Sequence, residues 1–243
     1  MRIWDALAFV GEGIYKKQSM DELLRRMDVF GVEKSIIAPV EEYVTVDNDE
    51  GNRYIHDACK LHPDRFLGYA VANPWYGKRA VESLRFALNS GLRAVYFDSS
   101  VQGFTISDDI VNPLIEVCAE FNAPVYFHTG TPAFALPLQV HYLAARFPSV
   151  RFMLGHCGAN DFVADALPSL HNRDNVWLES SMTLAVTMFS CFSEAPDRYV
   201  FGSGSPRSDL EFELMKIRAA CDDETKLGKA LSLNLAEVLG GAI

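Results

Sequence analysis

Short runs of hydrophobic residues alternate with amphipathic segments along the whole chain. Each short run is rich in Val, Ile, Leu or aromatic residues and is bounded by Gly, Pro, Asp or Asn, which predicts a β-strand. The eight predicted strands are Arg2–Phe9, Lys34–Val40, Arg65–Ala72, Leu92–Asp98, Pro124–Thr129, Arg151–Gly155, Asn175–Ser180 and Tyr199–Gly202.

The segments between the strands carry apolar residues at helical spacing. The first begins with a capping box, in which Ser19 precedes Glu22 by three positions, and Gly31 is placed to end it. The same periodicity predicts helices over Lys78–Ser90, Asp108–Phe121, Leu136–Phe147, Phe162–Leu170, Leu184–Phe192, Asp209–Ala220 and Thr225–Leu239.

Eight strands that alternate with helices over 243 residues predict a (β/α)8 TIM barrel. The competing fold, a doubly wound open sheet, usually has a Gly-rich turn after its first strand, and Gly11-Glu-Gly13 matches that turn poorly. No linker or low-complexity tract interrupts the pattern, so a single domain over residues 1–243 is expected. In such a barrel the chemistry is found where the strands end.

Net charge and cysteine spacing exclude several classes of function and indicate a cellular location. The chain has 22 Lys and Arg against 32 Asp and Glu, a net charge of −10, which argues against nucleic acid or an anionic membrane as a partner. No apolar run is long enough to span a membrane, and no signal peptide is evident. The five cysteines form no CxxC pair, which indicates reduced thiols and a cytoplasmic location.

Two histidines stand at the ends of neighbouring predicted strands. His128 ends the fifth strand and His156 follows the sixth, so both are expected to point into the barrel mouth. Histidine is the commonest zinc ligand and the usual general base near neutral pH. Two such residues on adjacent strands favour a functional site over a structural role at the rim.

Motifs spread over nearly the whole chain resemble those of a known family, the amidohydrolase-related (amidohydrolase 2) TIM-barrel enzymes. These are metal-dependent hydrolases of small carboxylic substrates and decarboxylases of the aminocarboxymuconate-semialdehyde type. The motifs that carry the resemblance are His62-Pro-Asp-Arg-Phe66-Leu-Gly68, Val101-Gln-Gly-Phe104, Phe127-His-Thr-Gly130, Leu154-Gly-His-Cys-Gly158, Leu178-Glu-Ser-Ser181, Asp197-Arg-Tyr-Val-Phe-Gly-Ser203 and Asn234-Leu-Ala236.

The chain departs from the family pattern where metal ligands are expected. The resemblance implies histidines at the positions of Leu7 and Phe9 and an aspartate at the position of Gly204. It also implies a Lys and a His where the fourth strand has Tyr96 and Asp98.

His128 and His156 are thus the only expected metal ligands that remain, and two imidazoles hold zinc weakly. Asp98 or Glu179 could act as a substitute ligand, although strand alternation turns Glu179 toward the helices if Ser180 faces the mouth. We therefore expect a degenerate or absent metal site and no cofactor, with zinc on His128 and His156 as the weaker alternative.

The resulting hypothesis is an amidohydrolase-like enzyme that hydrolyses or decarboxylates a small anionic molecule. His128 and His156 would act as acid or base, with Asp98 to orient them. The substrate-binding candidates are Asp5 and, in the loop after the eighth strand, Ser203, Ser205 and Arg207, whose guanidinium could clamp a carboxylate.

The alternative is a catalytically silent pseudoenzyme that serves as a binding or scaffold protein. In that case Leu7, Phe9, Phe104 and Phe134 should fill the mouth. The segment Leu184–Phe192 is apolar nearly all round, which favours burial against a neighbouring helix or a partner subunit, and a homodimer is expected.

Overall fold

A nine-stranded sheet forms the centre of the protein, whose computed structural model describes residues 1–159 and 161–241. The predicted domain also includes positions 160, 242 and 243, which lie outside the described residues. The strands are β1 (Trp4–Glu12), β2 (Lys17–Gln18), β3 (Lys34–Pro39), β4 (Phe66–Val71), β5 (Ala94–Phe97), β6 (Val125–His128), β7 (Phe152–Gly155), β8 (Val176–Glu179) and β9 (Tyr199–Val200).

Parallel pairing of β1 and β3 to β9 in chain order builds a barrel. The chain after β9 returns to β1 and closes it. The backbone N–H of Ala6 donates to the carbonyl of Phe201 at 2.9 Å, and that of Phe9 donates to the carbonyl of Ser205 at 2.7 Å. The predicted (β/α)8 TIM barrel is confirmed.

The chain forms a β-hairpin at the carboxyl end of β1 that the sequence pattern did not predict. β1 continues past Phe9, and β2 pairs with it in antiparallel fashion, with Gly11 opposite Gln18. The side-chain amide of Gln18 donates to the carbonyl of Phe9 at 2.9 Å and holds the hairpin against the strand. The hairpin therefore lies at the end of the barrel where the strands terminate.

Helices surround the barrel and follow most of the predicted segments. Ser19 caps the first helix by accepting a hydrogen bond from the backbone of Glu22, and Gly31 ends it with a φ of 71°. No helix of residues 1–159 and 161–241 is long and apolar enough to cross a membrane. The α-helices are α1 (Met20–Phe30), α2 (Glu41–Thr45), α3 (Asn48–Leu61), α4 (Lys78–Asn89), α5 (Ser99–Gln102), α6 (Asn112–Glu120), α7 (Pro137–Arg146), α8 (Ala185–Glu194), α9 (Leu210–Ala219), α10 (Glu224–Gly228) and α11 (Asn234–Val238), with a π-helix over Lys229–Leu233.

The predicted helix over Phe162–Leu170 is wrong. The segment forms two short 3-10 turns, Val163–Asp165 and Pro168–Leu170. Pro168 has no backbone N–H, and its ring would clash with the preceding turn of an α-helix. The connection between β7 and β8 is therefore irregular.

Side chains of the barrel strands alternate between two apolar layers. Tyr69, Tyr96 and Tyr126 belong to the cluster inside the barrel, whereas Phe97 and Phe127 belong to the larger cluster between the barrel and the helices. Because successive residues of a strand face opposite sides, His128 points inward like Tyr126. The inward-facing side chains of β6 thus end with His128 at the mouth of the barrel.

Asp5 bonds the first strand of the barrel to the segment that follows the last strand. Its Oδ1 accepts from the backbone of Leu7 at 3.1 Å and of Ser203 at 2.7 Å. Its Oδ2 accepts from the hydroxyl of Ser203 at 2.6 Å and of Ser35 at 3.4 Å. The side chain is fully buried, and burial raises the pKa of Asp5 to about 7. The carboxyl group therefore links β1, β3 and the segment after β9.

We expect an Asp5→Asn variant to gain stability relative to the wild type as pH rises. Since the folded pKa of Asp5 lies above its unfolded value, the folded state binds more protons between those values, and wild-type stability falls as pH rises through them. The amide of the variant does not titrate, so the variant does not lose this stability. For the wild type the loss in the free energy of unfolding is about 2–3 kcal/mol between about pH 5 and pH 8. Urea unfolding at both pH values measures it. A stability difference between the two proteins that does not change with pH would contradict the prediction.

Candidate active site

The two strand-end histidines meet at the barrel mouth. His128 is the last residue of β6, His156 directly follows β7, and the ring centroids are 4.8 Å apart at an angle of 67°. Both side chains are buried. The structure therefore brings together the two residues that the sequence analysis placed at the centre of the site.

Backbone geometry at the end of β7 decides where His156 points. Gly155 faces the interior, because a Cβ there would lie 2.2 Å from the hydroxyl of Tyr126. Strand alternation would turn the next side chain outward, but His156 has a φ of 62° and begins a left-handed run that continues through Ala159. A non-glycine residue in this conformation costs on the order of 1–3 kcal/mol, so the surroundings must hold it.

The carboxylate of Glu179 supplies that support. Its Oε2 accepts from the backbone of His156 at 3.1 Å and from the hydroxyl of Tyr126 at 2.6 Å. The backbone and hydroxyl of Ser181 also donate to this carboxylate, at 2.7 and 2.9 Å. Burial raises the pKa of Glu179, and these hydrogen bonds oppose the rise. The sequence analysis turned Glu179 toward the helices on the condition that Ser180 faces the mouth, whereas the side chain of Glu179 is directed into the barrel beside Tyr126.

Ser181 fixes the tautomer of His156. Its hydroxyl donates to Glu179, so the 2.7 Å contact with His156 is a hydrogen bond donated by the Nδ1–H of the imidazole. Nε2 is then the unprotonated nitrogen. Burial lowers the pKa of His156 well below its ordinary value, and the neighbouring His128 adds to this. His156 is a neutral base oriented by a Glu–Ser pair.

His128 is also neutral. Its Nε2 contacts the hydroxyl of Thr131 at 3.1 Å, and its buried Nδ1 has no hydrogen-bond partner within the described residues. Burial lowers the pKa of His128 to about 3, and the charges of Arg207 and Lys16 contribute. A buried polar atom without a partner is rare in folded proteins and is typical of a group that meets a ligand.

Asp98 lies at the mouth next to these rings. It follows β5 and caps α5, with its Oδ1 accepting from the backbone of Val101 at 3.4 Å. Burial raises the pKa of Asp98, while the charges of Lys16, Arg207 and His156 act in the opposite direction. The side chain is therefore a candidate proton donor that interacts electrostatically with His156.

Lys16 is a site residue that the sequence analysis missed. It lies in the hairpin between β1 and β2, with its Nζ 4.3 Å from the ring centroid of Phe9 and 3.4 Å from Oε1 of Glu41. Its side chain is only 8% exposed. A lone lysine in a loop gives no sequence signal, and the unpredicted hairpin is what brings it to the mouth.

The four predicted substrate-binding residues divide into two groups. Asp5 and Ser203 bond to each other, and Ser205 donates from its hydroxyl to Gln18 at 2.8 Å, so these three are buried in the closure of the barrel. Arg207 is exposed, and its charge acts on His128, His156 and Asp98. Of the four, only Arg207 remains a candidate for contact with a substrate.

The apolar residues expected to fill the mouth of a pseudoenzyme do not come together. Leu7 and Phe9 belong to the cluster inside the barrel, whereas Phe104 packs against Phe97 in the outer layer. Phe134 is 42% exposed. The pseudoenzyme alternative is not supported.

Comparison with known proteins identifies relatives of this barrel. A family model described as Amidohydrolase matches residues 11–240. No curated protein sequence matches the chain at a significant level. Among solved structures, an uncharacterized TIM-barrel protein from Bordetella bronchiseptica superposes with a TM-score of 0.80 at 19% identity, with 99% of both chains covered.

Two decarboxylases share the same fold. The 2,6-dihydroxybenzoate decarboxylase from Rhizobium has a TM-score of 0.79 at 18% identity over 99% of each chain. A dihydroxybenzoic acid decarboxylase from a Polaromonas species, with bound manganese and the inhibitor 2-nitroresorcinol, has a TM-score of 0.76 at 15% identity. It covers 98% of this chain and 97% of its own. At these identities the similarity shows the fold.

The expectation of no cofactor, with zinc as the weaker alternative, is contradicted by these relatives. The Polaromonas decarboxylase holds manganese, which points to a metal cofactor among proteins of this kind. The comparisons also give no support to the prediction of a degenerate metal site.

The polar side chains that the structure describes at the mouth of this chain do not form a set of metal ligands. Within residues 1–159 and 161–241, no group of three or more His, Cys, Asp or Glu side chains could hold a metal ion. Nδ1 of His156 is taken up by Ser181, and two cations lie near the imidazoles. The donors present do not fit a three-ligand centre, and we derive no step through a metal.

We expect a Tyr126→Phe variant to lose about 1.5–3 kcal/mol of stability, because a buried hydrogen bond to a charged acceptor is removed. Tyr199→Phe is the matched control. Tyr199 is equally buried, but its hydroxyl has no partner within the described residues, so its removal should be neutral or stabilising. Urea unfolding of both variants measures the difference, and equal losses would show that the Glu179 network does not hold the site together.

Proposed function

Because the chain belongs to the amidohydrolase family, we propose that it is a decarboxylase of a small aromatic carboxylic acid. The observation that carries the proposal is the pair of neutral imidazoles, 4.8 Å apart, beside the buried Asp98 at a cationic mouth. The related decarboxylases are named for dihydroxybenzoates, and we therefore propose a hydroxybenzoate as the substrate class of this chain.

The imidazoles act as hydrogen-bond acceptors for a phenolic hydroxyl. A histidine whose pKa is far below neutrality stays uncharged, so it accepts a hydrogen bond and does not take up the proton. Nε2 of His156 is available for this, since its Nδ1–H is held by Ser181. The hydrogen bond that the phenolic hydroxyl donates pushes electron density toward the ring carbon that bears the carboxylate.

Asp98 supplies the proton that the ring carbon needs. Burial raises the pKa of Asp98, so its protonated form persists to higher pH than that of an exposed aspartate. Transfer of this proton to the carbon forms a C–H bond. The bond to the carboxylate then breaks, its electrons restore the aromatic ring, and carbon dioxide leaves. The phenolic hydroxyl keeps its proton throughout, and Asp98 regains one from water, so each turnover consumes one proton.

Arg207 orients the substrate in this scheme. A guanidinium forms two parallel hydrogen bonds with a carboxylate, and Arg207 is the exposed cation whose charge reaches His128 and Asp98. Burial of the catalytic groups keeps water from the reacting carbon.

The predicted homodimer and cytoplasmic location stay predictions. α8 has buried residues on one side, such as Met188 and Phe192, while Val186 and Phe189 are 70% and 67% exposed. This exposed apolar face is the surface to which the homodimer prediction refers.

The test is release of carbon dioxide from 2,6-dihydroxybenzoate in deuterium oxide, with manganese supplied because the Polaromonas relative holds it. The product should carry one solvent deuterium on the carbon that lost the carboxylate. His156→Asn and Asp98→Asn should each lower kcat by about 100-fold or more. His171→Asn is the control, because His171 is exposed and precedes β8, whereas the mouth lies at the carboxyl end of that strand, and it should leave kcat unchanged.

Two results would overturn the proposal. Turnover of esters, lactones or amides without any loss of carbon dioxide from carboxylic acids would establish hydrolysis instead. Decarboxylation that survives both Asp98→Asn and His156→Asn would remove these residues from the mechanism.

A further inference from the structure

We propose that Lys16 binds the carboxylate of the substrate and makes the site select anionic over uncharged aromatic molecules. The inference rests on the proposed function, since it assigns a residue and a substrate class to the same mouth. It goes beyond that function because the decarboxylation scheme itself uses no group from the hairpin.

The position of Lys16 is fixed by what surrounds its ammonium group. The hairpin between β1 and β2 carries it over the carboxyl end of β1, and the Nζ lies above the ring of Phe9 at 4.3 Å. A cation over an aromatic face is held there without a hydrogen bond. The ammonium therefore has a fixed place at the mouth, and its contact with the ring uses none of its N–H donors.

The ion pair with Glu41 uses only part of the bonding capacity of the ammonium. Glu41 is its ion-pair and hydrogen-bond partner, at a Nζ to Oε1 distance of 3.4 Å, longer than the roughly 2.7–2.9 Å of a strong charge-assisted hydrogen bond. An ammonium has three N–H donors, so the donors that are not directed at Glu41 remain for a second anion.

The ring of Phe9 meets the ring of Tyr96 edge-on at a centroid distance of 5.6 Å, and Tyr96 precedes Asp98 by two residues. Lys16, which covers Phe9, therefore lies near the catalytic groups. Its charge contributes to the lowered pKa of His128 and opposes the raised pKa of Asp98. Arg207 acts on both groups with the same sign. The mouth thus contains two cations, one buried and one exposed, and a carboxylate between them would lie beside the imidazoles.

Burial makes Lys16 the more selective of the two cations. Desolvation lowers the pKa of Lys16, and the charges of Glu41 and Asp98 oppose this only in part, so a further anion would stabilise the buried charge. A carboxylate provides that compensation and an uncharged ring does not. Arg207 is exposed, so water already solvates it, and it discriminates less between charged and neutral ligands.

The experiment compares the affinities of 2,6-dihydroxybenzoate and of resorcinol, the uncharged ring without the carboxylate, by calorimetric titration. Wild type should bind the acid more tightly. Lys16→Met should lower the affinity for the acid by about 10-fold or more and leave that for resorcinol unchanged. Lys16→Arg should retain the preference for the acid, because it keeps the positive charge.

Glu41→Gln separates substrate binding from a structural role. It removes the ion pair but keeps Lys16, so it should bind the acid as tightly as wild type or more tightly. If it instead loses affinity for the acid as Lys16→Met does, the lysine acts through the ion pair and the proposal is overturned. Melting temperatures of all variants identify any that fail to fold, and Lys16→Gln, which also removes the charge, then takes the place of Lys16→Met.

The outcomes also distinguish this inference from the proposed function. A wild-type protein that prefers the acid through Lys16 but releases no carbon dioxide retains the inference and refutes the decarboxylase. A protein that decarboxylates the acid while Lys16→Met keeps the full preference for it refutes the inference alone. A wild type that binds both molecules equally also refutes the role of Lys16.

Discussion

The buried carboxylate of Glu179 is the contact on which the candidate site depends. It is the common acceptor for the hydroxyl of Tyr126, for Ser181 and for the backbone of His156, so three strands of the barrel converge on one group. Gly202 makes room for it, because a Cβ there would lie 2.0 Å from Oε1. A left-handed residue at a strand end is unfavourable by itself, and this hydrogen-bonded arrangement is what keeps the His156 imidazole in the mouth. Removal of the carboxylate would release both the strain and the orientation of the base.

The remaining electrostatics follow from burial in one small volume. Glu179 and Asp98 have raised pKa values and both histidines have lowered ones, since desolvation disfavours every charged form. Lys16 and Arg207 then bias the mouth toward positive potential and keep the imidazoles neutral. The roles at the mouth are thereby separated: a carboxyl group holds the proton, and the neutral imidazoles accept hydrogen bonds.

Strand alternation and chain order account for the part of the molecule that could be predicted from the sequence. The eight barrel strands lie within a few residues of their predicted bounds, and the meeting of His128 and His156 follows from consecutive parallel strands. The wrong predictions of side-chain direction occur where the backbone departs from the two-residue alternation of a strand. A bulge between Asp5 and Ala8 puts Asp5 on the face opposite Leu7 and Phe9, although alternation would place all three together. The left-handed turn at His156 and the hairpin that carries Lys16 are likewise invisible in a hydrophobic pattern.

The bulge in β1 links the unusual first strand to the chemistry of the mouth. The bulge places Asp5 on the opposite face of the strand from Leu7 and Phe9. Asp5 therefore bonds to Ser203 and holds the barrel closed, while the two apolar side chains line the interior. An imidazole at the position of Phe9 would compete with the ammonium of Lys16 through its own protonation, whereas a phenyl ring offers a face of negative potential that never titrates. Phe9 and the Lys16 ammonium above it are thus physically coupled. A change at either position alters the charge that the mouth presents to an incoming carboxylate.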